Sequence, residues 1–183
     1  MPTPIGHILA GSALAVSSGK PYNSKWFAVF VLFFSVLPDF DVIPGFFTGD
    51  VNRYHRLFSH SLVFVTLAGL FGSIILWRFF HYRFKKSAFW LISAGYVHLF
   101  MDLLTLDKSA PYGCPLFMPF SDLYLISPVQ IFLDLHRASA GHEFFSSLFT
   151  RHNFWVIFVE FIILVPVLVL TIRKQIKLNE QAE

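Results

Sequence analysis

The chain has 183 residues, of which 55% are hydrophobic and only 14% are charged, and its formal net charge at pH 7 is +3. Soluble domains carry about 25% charged residues, so this composition excludes an ordinary soluble domain and indicates one domain embedded in a lipid bilayer. The basic residues form no long tract with interleaved aromatic residues, so we expect no nucleic-acid partner. The single cysteine, Cys114, excludes an internal disulfide bond and is expected to fill apolar space.

Five apolar segments, taken in chain order, predict an all-α bundle of membrane-embedded helices. The first two, residues 5–18 and 26–37, have about 12 to 14 residues each and are short for ~30 Å of hydrocarbon. They either form a tilted hairpin or reach only part way through the membrane. Residues 59–80, 88–106 and 153–172 are long enough to cross the bilayer.

The distribution of lysine and arginine predicts the orientation of these segments. With five crossings, nine of the 14 basic residues fall on one side, in the first hairpin turn, between the first two long segments and after the last one. We therefore expect a multi-pass protein of the cytoplasmic membrane, with the N-terminus outside and the C-terminus in the cytoplasm. All seven aspartates then lie on the outer side or in the outer ends of helices: Asp39, Asp41, Asp50, Asp102, Asp107, Asp122 and Asp134.

The longest connection, residues 107–152, contains Gly113 and four prolines, so it does not form one helix. Within it, residues 123–136 are expected to form a helix that lies in the membrane interface or dips into it. Residues 1–176 are expected to form a single helical domain, followed by a polar and frayed tail at residues 177–183.

Histidines and aspartates gather at the outer ends of the predicted helices, which up-and-down connections bring to one face. His98 and Asp102 are four residues apart and project from one side of a helix. Ionisable side chains within a membrane span usually face the protein interior, and imidazole with carboxylate suits Zn²⁺, Mn²⁺ or Fe²⁺. Seven candidate ligands, enough for two ions, are His7, Asp39, Asp41, His55, His60, His98 and Asp102.

Two of the residues at this face have expected roles in a reaction. Arg56 is a natural partner for a phosphate or carboxylate group on a substrate. Asp41 is expected either to bridge metal ions or to position the attacking water as a base.

The same residues also have non-catalytic interpretations. The histidines near helix ends would face lipid headgroups, and the aspartates after Pro38 would cap a turn. His98 and Asp102 would form a buried hydrogen-bonded pair that packs helices. The metal interpretation is preferred because histidines and aspartates with unrelated structural roles would not all be expected on the same side of the membrane.

The remaining candidates are less clear. Glu160 lies deeper in the last segment and is as consistent with a structural role as with a functional one. His81 is excluded from the site because it falls on the cytoplasmic side. His136, His142 and His152 fit no ligand pattern and are expected to lie at the interface.

Short motifs in a fixed order resemble the YdjM-like family. The motifs are Gly6-His7 with Gly11, PDFD at residues 38–41, HRLFSHS at 55–61, HLFMDLLT at 98–105, and Gly113 with Pro115, Pro119 and Phe120. Members of this family are described as LexA-regulated, membrane-bound, metal-dependent hydrolases, and are grouped with the zinc-dependent phospholipase C and single-strand nuclease superfamily. The resemblance covers residues 7–120.

The resemblance implies an α-helical core in which histidine and aspartate hold zinc, including a His-x3-Asp pair. The residues that match are His98 with Asp102, preceded by His7, Asp39 and either His60 or His55. Residues 106–112 look like an insertion relative to the family, and no His-x3-Glu helix follows, because His142 and Glu143 are adjacent. We therefore expect one or two metal ions rather than three.

The residues and the resemblance together predict a metal-dependent hydrolase that acts on a phosphoester at the outer face of the cytoplasmic membrane. Its substrate is expected to be a lipid or to be linked to one, and its ion to be zinc, with manganese or iron as alternatives. The alternative function is a non-enzymatic membrane protein that binds or transports a metal ion. A third possibility is a helical scaffold whose histidines only anchor it at the interface.

Overall fold

The computed structural model describes residues 1–19, 24–106, 108 and 112–181 of the chain. Lys20 and Asp107, which entered the predicted orientation, lie outside the described residues, as does most of the insertion expected at residues 106–112. The described residues form α-helices and 3₁₀ turns without a β-strand, so the predicted all-α class is confirmed. The α-helices are α1 (Pro4–Ser17), α2 (Lys25–Val36), α3 (Ile43–Thr48), α4 (Leu62–Phe80), α5 (Phe84–Leu103), α6 (Gly141–Leu148) and α7 (Arg151–Glu180).

Two 3₁₀ turns, Leu37–Val42 and Phe58–His60, lie at the ends of long helices. The first joins α2 to α3, so the helical path from Lys25 to Thr48 has 24 residues even though α2 itself has only 12. Pro38 does not stop this path because it stands in the first turn of a new helical segment, where a missing N–H costs no hydrogen bond.

In the part of the chain that the structure describes, three helical stretches are long and apolar enough to cross a membrane: Lys25–Thr48, Leu62–Phe80 and Arg151–Glu180. α1 is apolar but shorter, as predicted. α5 has 20 residues, but Lys85, Lys86 and Asp102 lower its mean hydropathy, and it does not meet the same criterion. It packs against α1, α2 and α4, and its polar residues His98 and Asp102 are buried, whereas Lys85 and Lys86 are exposed at its start.

Small residues let α4 and α5 pack closely. A Cβ atom added at Gly95 of α5 would lie 2.8 Å from Cβ of Val65, and one added at Gly69 of α4 would lie 2.6 Å from Cγ1 of Ile92. Such close approach of backbones is typical of helix pairs in membranes. It fixes α5, which carries His98 and Asp102, against its neighbour.

The predicted interfacial helix at residues 123–136 is wrong. This segment is extended, and it pairs with distant backbone through isolated bridges between Cys114 and Leu125 and between Thr105 and Phe132. These long-range hydrogen bonds satisfy the backbone groups that a local helix would have used. The helix of this region is α6, and the tail expected to be frayed from residue 177 continues α7 to Glu180.

Candidate metal centre

Five of the predicted ligands meet inside the bundle at one end of it. His7 comes from the second turn of α1, Asp39 from the first 3₁₀ turn and His60 from the second, and His98 and Asp102 come from α5. All five side chains are buried. The expected convergence of these residues is therefore found in the structure, and it draws on separate elements rather than on one local motif.

The two carboxylates stand between the histidines. One oxygen of each carboxylate faces His7, whose Nε2 lies 3.9 Å from Asp39 Oδ2 and 3.6 Å from Asp102 Oδ1. The other oxygen of each faces His60, whose Nε2 lies 3.6 Å from Asp39 Oδ1 and 3.3 Å from Asp102 Oδ2. His98 Nε2 lies on the same side as His60, at 3.8 and 3.7 Å from those two oxygens. His98 also stacks on His7, with ring centroids 3.8 Å apart, and His7, Asp39 and His98 form one group of potential ligand atoms within 4.8 Å of one another.

These separations of 3.3–3.9 Å are at or a few tenths of an ångström above those between ligand atoms of one divalent metal. Ligand atoms around an ion with bonds of about 2.1 Å lie about 3.0 Å apart in octahedral geometry and about 3.4 Å apart in tetrahedral geometry. Among the described residues, neither oxygen of Asp39 or Asp102 and neither ring nitrogen of His7 has a hydrogen-bond partner of acceptable geometry. Buried carboxylates without partners cost several kcal/mol, and a bound cation removes that cost.

Two of the histidines are oriented by contacts of Nδ1, the ring nitrogen that faces away from the two carboxylates. Nδ1 of His98 lies 2.8 Å from the carbonyl oxygen of Ser35, and Nδ1 of His60 lies 3.1 Å from Asp41 Oδ2. An Nδ1–H that donates to these acceptors leaves the Nε2 lone pair directed at the carboxylates. Such outer contacts are usual for histidines that ligate metals.

Asp41 lies behind His60 rather than among the converging groups. Its oxygens accept hydrogen bonds from His55 Nδ1 at 2.9 Å, from the backbone nitrogen of Arg56 at 3.0 Å and from Ser59 Oγ at 2.6 Å. These contacts occupy the carboxylate and place Asp41 behind His60, and its predicted role as a bridging ligand or base stays a prediction. Asp41 then holds the loop that carries His60.

His55 lies at the edge of the cluster. Its ligating atom lies within 4.8 Å of those of Asp39 and His60, whereas His60 also reaches Asp102. Burial lowers the pKa of His55 to about 4, so its imidazole is neutral near pH 7. Of the two histidines left open by the sequence, His60 therefore stands in the inner cluster and His55 beside it.

The cluster attracts positive charge. Burial alone would lower the pKa of His60, but the nearby carboxylates of Asp102, Asp39 and Asp41 raise that pKa well above the usual value. The carboxylates thus favour a cation at this point, whether it is a proton on His60 or a metal ion that replaces the proton.

Arg56 is buried next to the cluster, and both its backbone and its guanidinium are held by hydrogen bonds. Its backbone takes a φ of 57°, and its carbonyl oxygen accepts from the hydroxyl of Tyr124 at 3.2 Å. Its guanidinium donates to the carbonyl oxygen of Gly113 at 3.5 Å. A left-handed backbone at a non-glycine residue is uncommon and is often found at functional sites. The predicted position of Arg56 beside the ligands is therefore found.

Glu160, whose role the sequence left open, anchors α1. The backbone nitrogen of Thr3 donates to Glu160 Oε1 at 2.5 Å, and the hydroxyl of Thr3 donates to Oε2. Thr3 is the N-cap of α1, and its carbonyl oxygen accepts from the nitrogen of His7. Glu160 therefore fixes the helix end that carries His7.

Sequence reasoning missed other residues near the cluster. Arg137 interacts electrostatically with Asp39, Asp41 and Asp102, although no motif marked it. His136 and His152, which were expected to lie singly at the interface, meet in a separate group, whereas His142 remains exposed. These contacts depend on the extended path of residues 123–136, which local sequence patterns did not reveal.

The comparisons with known proteins agree with the resemblance seen in the motifs. No curated protein and no solved structure matches the chain. The family model of the YdjM inner membrane protein matches residues 1–178, well beyond the residues 7–120 that carried the motifs. The cluster and all seven α-helices lie within the matched residues or within two residues of their end. The chain belongs to the YdjM inner membrane protein family.

Proposed function

We propose that this protein is a membrane-bound, metal-dependent hydrolase that cleaves a phosphoester in a lipid or a lipid-linked substrate. The observation that carries the proposal is the pair of carboxylates, Asp39 and Asp102, that each turn one oxygen to His7 and the other to His60 and His98. Paired divalent ions held in this way are typical of enzymes that hydrolyse phosphoesters.

When bound, divalent ions would lower the pKa of a coordinated water toward neutrality and polarise a phosphoryl oxygen. The residues of the chain prepare the site for this chemistry. His60 and His98 are oriented by Asp41 and by the Ser35 carbonyl, so they need little rearrangement. The guanidinium of Arg56 supplies fixed positive charge for the phosphoryl group.

An apolar groove beside the cluster supports a substrate with a hydrocarbon chain. The groove lies between α1, α5 and α7 and has a volume of about 390 Å³. Met101 and Leu104, which line it, flank Asp102 in the chain, and Ala10 lines it one turn after His7. A hydrocarbon chain bound in this groove would end near the cluster. We therefore propose that the groove holds the acyl or prenyl chain of the substrate.

The orientation inferred from basic residues completes the proposal. The helix α4 begins next to His60 and, with 19 residues at 1.5 Å each, carries the chain about 28 Å before it ends at Phe80. The basic loop around Arg83 follows, so the cluster and this loop stand at opposite ends of α4. We infer that the cluster faces the outside and the basic loop faces the cytoplasm.

Elemental analysis of the purified protein, followed by hydrolysis assays with phosphomonoester and phosphodiester lipids, tests the proposal. We expect bound zinc, manganese or iron, and turnover that His98→Ala and Asp102→Ala both abolish together with metal content. His142→Ala serves as the control because its side chain is 82% exposed and distant from the cluster in the chain. Metal flux into proteoliposomes without hydrolysis would instead favour the transport alternative. Protein without metal, unchanged by either substitution, would refute the proposal.

A further inference from the structure

We propose that Asp134, His136 and His152 form a second site for a divalent transition-metal ion, separate from the inner cluster. The three residues lie in the extended segment after Phe132 and at the start of α7. Their ligating atoms all lie within 4.8 Å of one another. Neither the motifs nor the family resemblance marked any of them as a ligand.

The two imidazoles face one carboxylate. His136 Nε2 lies 3.3 Å from Asp134 Oδ2, and His152 Nε2 lies 3.7 Å from Asp134 Oδ1. The two rings are stacked with centroids 3.8 Å apart and planes at 14°. Because the rings are nearly parallel and both present Nε2 to the carboxylate, the three groups converge on one point.

Burial separates this group from an ordinary surface ion pair. The side chain of Asp134 is only 8% exposed, and its Oδ1 has no hydrogen-bond partner among the described residues. The side chains of His136 and His152 are 54% and 32% exposed, so the carboxylate is buried while the imidazoles are accessible to solvent. By contrast, His142 and Glu143 approach to 3.7 Å with both side chains largely in solvent. A buried carboxylate that lacks a partner calls for a cation, and the open side admits one.

The backbone around the site is held rigidly by Asn153, which is buried. Its side-chain oxygen accepts from the nitrogen of His136 at 2.9 Å, and its amide donates to the carbonyl oxygen of His136 at 2.7 Å. The same amide also donates to the carbonyl oxygens of Ser147 and Leu148. Because His152 precedes Asn153 in the chain, the backbones of His136 and His152 are both held in place without a bound ion.

The donor set favours zinc or a similar ion. Two imidazole nitrogens and a carboxylate suit Zn²⁺, Ni²⁺ or Cu²⁺ and do not suit Mg²⁺ or Ca²⁺, which prefer oxygen. The carbonyl oxygen of Asp134 lies 2.9 Å from His152 Nε2 and supplies a fourth donor. An ion that binds His152 Nε2 replaces the hydrogen bond from that nitrogen to the carbonyl oxygen, and the proton moves to Nδ1, so the imidazole stays neutral.

Zinc titration of the full chain in detergent, after removal of metals with a chelator, tests the site. We expect the double variant His136→Ala/His152→Ala to bind one equivalent fewer than the wild type, as counted by elemental analysis after gel filtration. His142→Ala is the matched control and should bind as the wild type does. The variant Asp102→Asn should keep the equivalent that the double variant loses.

Chemical protection provides a second readout. Zinc should protect His136 and His152 from diethyl pyrocarbonate in the wild type and in Asp102→Asn. Equal zinc stoichiometry in the wild type and the double variant, or histidines that react equally with and without zinc, would overturn the inference. Absence of hydrolysis would affect only the proposed function, because neither readout depends on turnover.

Discussion

Glu160, near the middle of α7, accepts a hydrogen bond at 2.5 Å from the backbone nitrogen of Thr3, the N-cap of α1. α1 and α7 are far apart in the chain but pack against each other, and this bond fixes their relative height. His7 follows one turn later, so a carboxylate in the last helix sets the position of a ligand in the first. The side chain of Glu160 is fully buried, and Gly6 leaves the room for it.

We predict that Glu160→Ala lowers the stability of the protein by about 1–3 kcal/mol, because it leaves the Thr3 donors unsatisfied in an apolar region. Metal affinity should fall as well, since His7 loses its support. Thermal unfolding in detergent and zinc titration measure the two effects. Glu143→Ala, at an exposed residue, is the control. Unfolding of Glu160→Ala at the wild-type temperature would contradict the assigned role.

The placement of the two carboxylates predicts unequal losses of metal. Asp102→Asn should remove nearly all metal from the inner cluster, because one oxygen of Asp102 faces His7 and the other faces His60 and His98. His7→Ala should leave the ion on the side of His60 and His98 in place. Elemental analysis of both variants in the His136→Ala/His152→Ala background isolates the inner cluster. If His7→Ala removes as much metal as Asp102→Asn, the carboxylates do not bridge two ions.

Asp41→Asn tests whether Asp41 supports a ligand or is one. Residues that orient metal-bound histidines usually contribute about 10–100-fold to metal affinity, so we expect weaker binding with unchanged stoichiometry at saturating zinc. Calorimetric titration gives both values. Loss of a whole equivalent would identify Asp41 as a ligand, and unchanged affinity would remove it from the site.

Cys114 should resist alkylation in the folded protein. Burial raises the pKa of its thiol to about 11, so little thiolate is present at pH 8, and the side chain is shielded from reagents. We expect mass spectrometry to find little maleimide adduct in detergent micelles and complete reaction in sodium dodecyl sulfate. A cysteine introduced by His142→Cys provides the exposed control. Rapid reaction of Cys114 in micelles would show that the segment around it opens.

The ligands that the sequence predicted best are those whose helices could be recognised. His98 and Asp102 share a helix face. The apolar segments before and after their helix predict the end of the bundle at which these two residues lie. The different orientations of Asp39 and Asp41 do not follow from the helical pattern of the sequence because they depend on the 3₁₀ turn. Residues two apart in such a turn point about 120° apart around its axis, so Asp39 faces the cluster while Asp41 faces His55 and Ser59.

The extended segment at residues 123–136 could not be foreseen from local patterns. The sequence predicts an interfacial helix here, but the backbone hydrogen bonds of the segment go to Leu104, Leu106 and Cys114. Pairing between distant segments depends on tertiary structure, which overrides local propensity. The contact between His136 and His152 depends on the same extended segment, so local sequence patterns do not predict it either.

His98 has a further consequence through its contact with Ser35. The carbonyl oxygen of Ser35 belongs to the last turn of α2 and has no partner within that α-helix, so the imidazole of His98 completes a helix end inside the bundle. One ring thus completes a helix terminus and offers a donor to the proposed metal. Because the five side chains come from α1, two 3₁₀ turns and α5, they assemble only after membrane insertion and helix association. Under the proposed function, the metal content of the isolated protein is therefore a measure of its maturation in the bilayer.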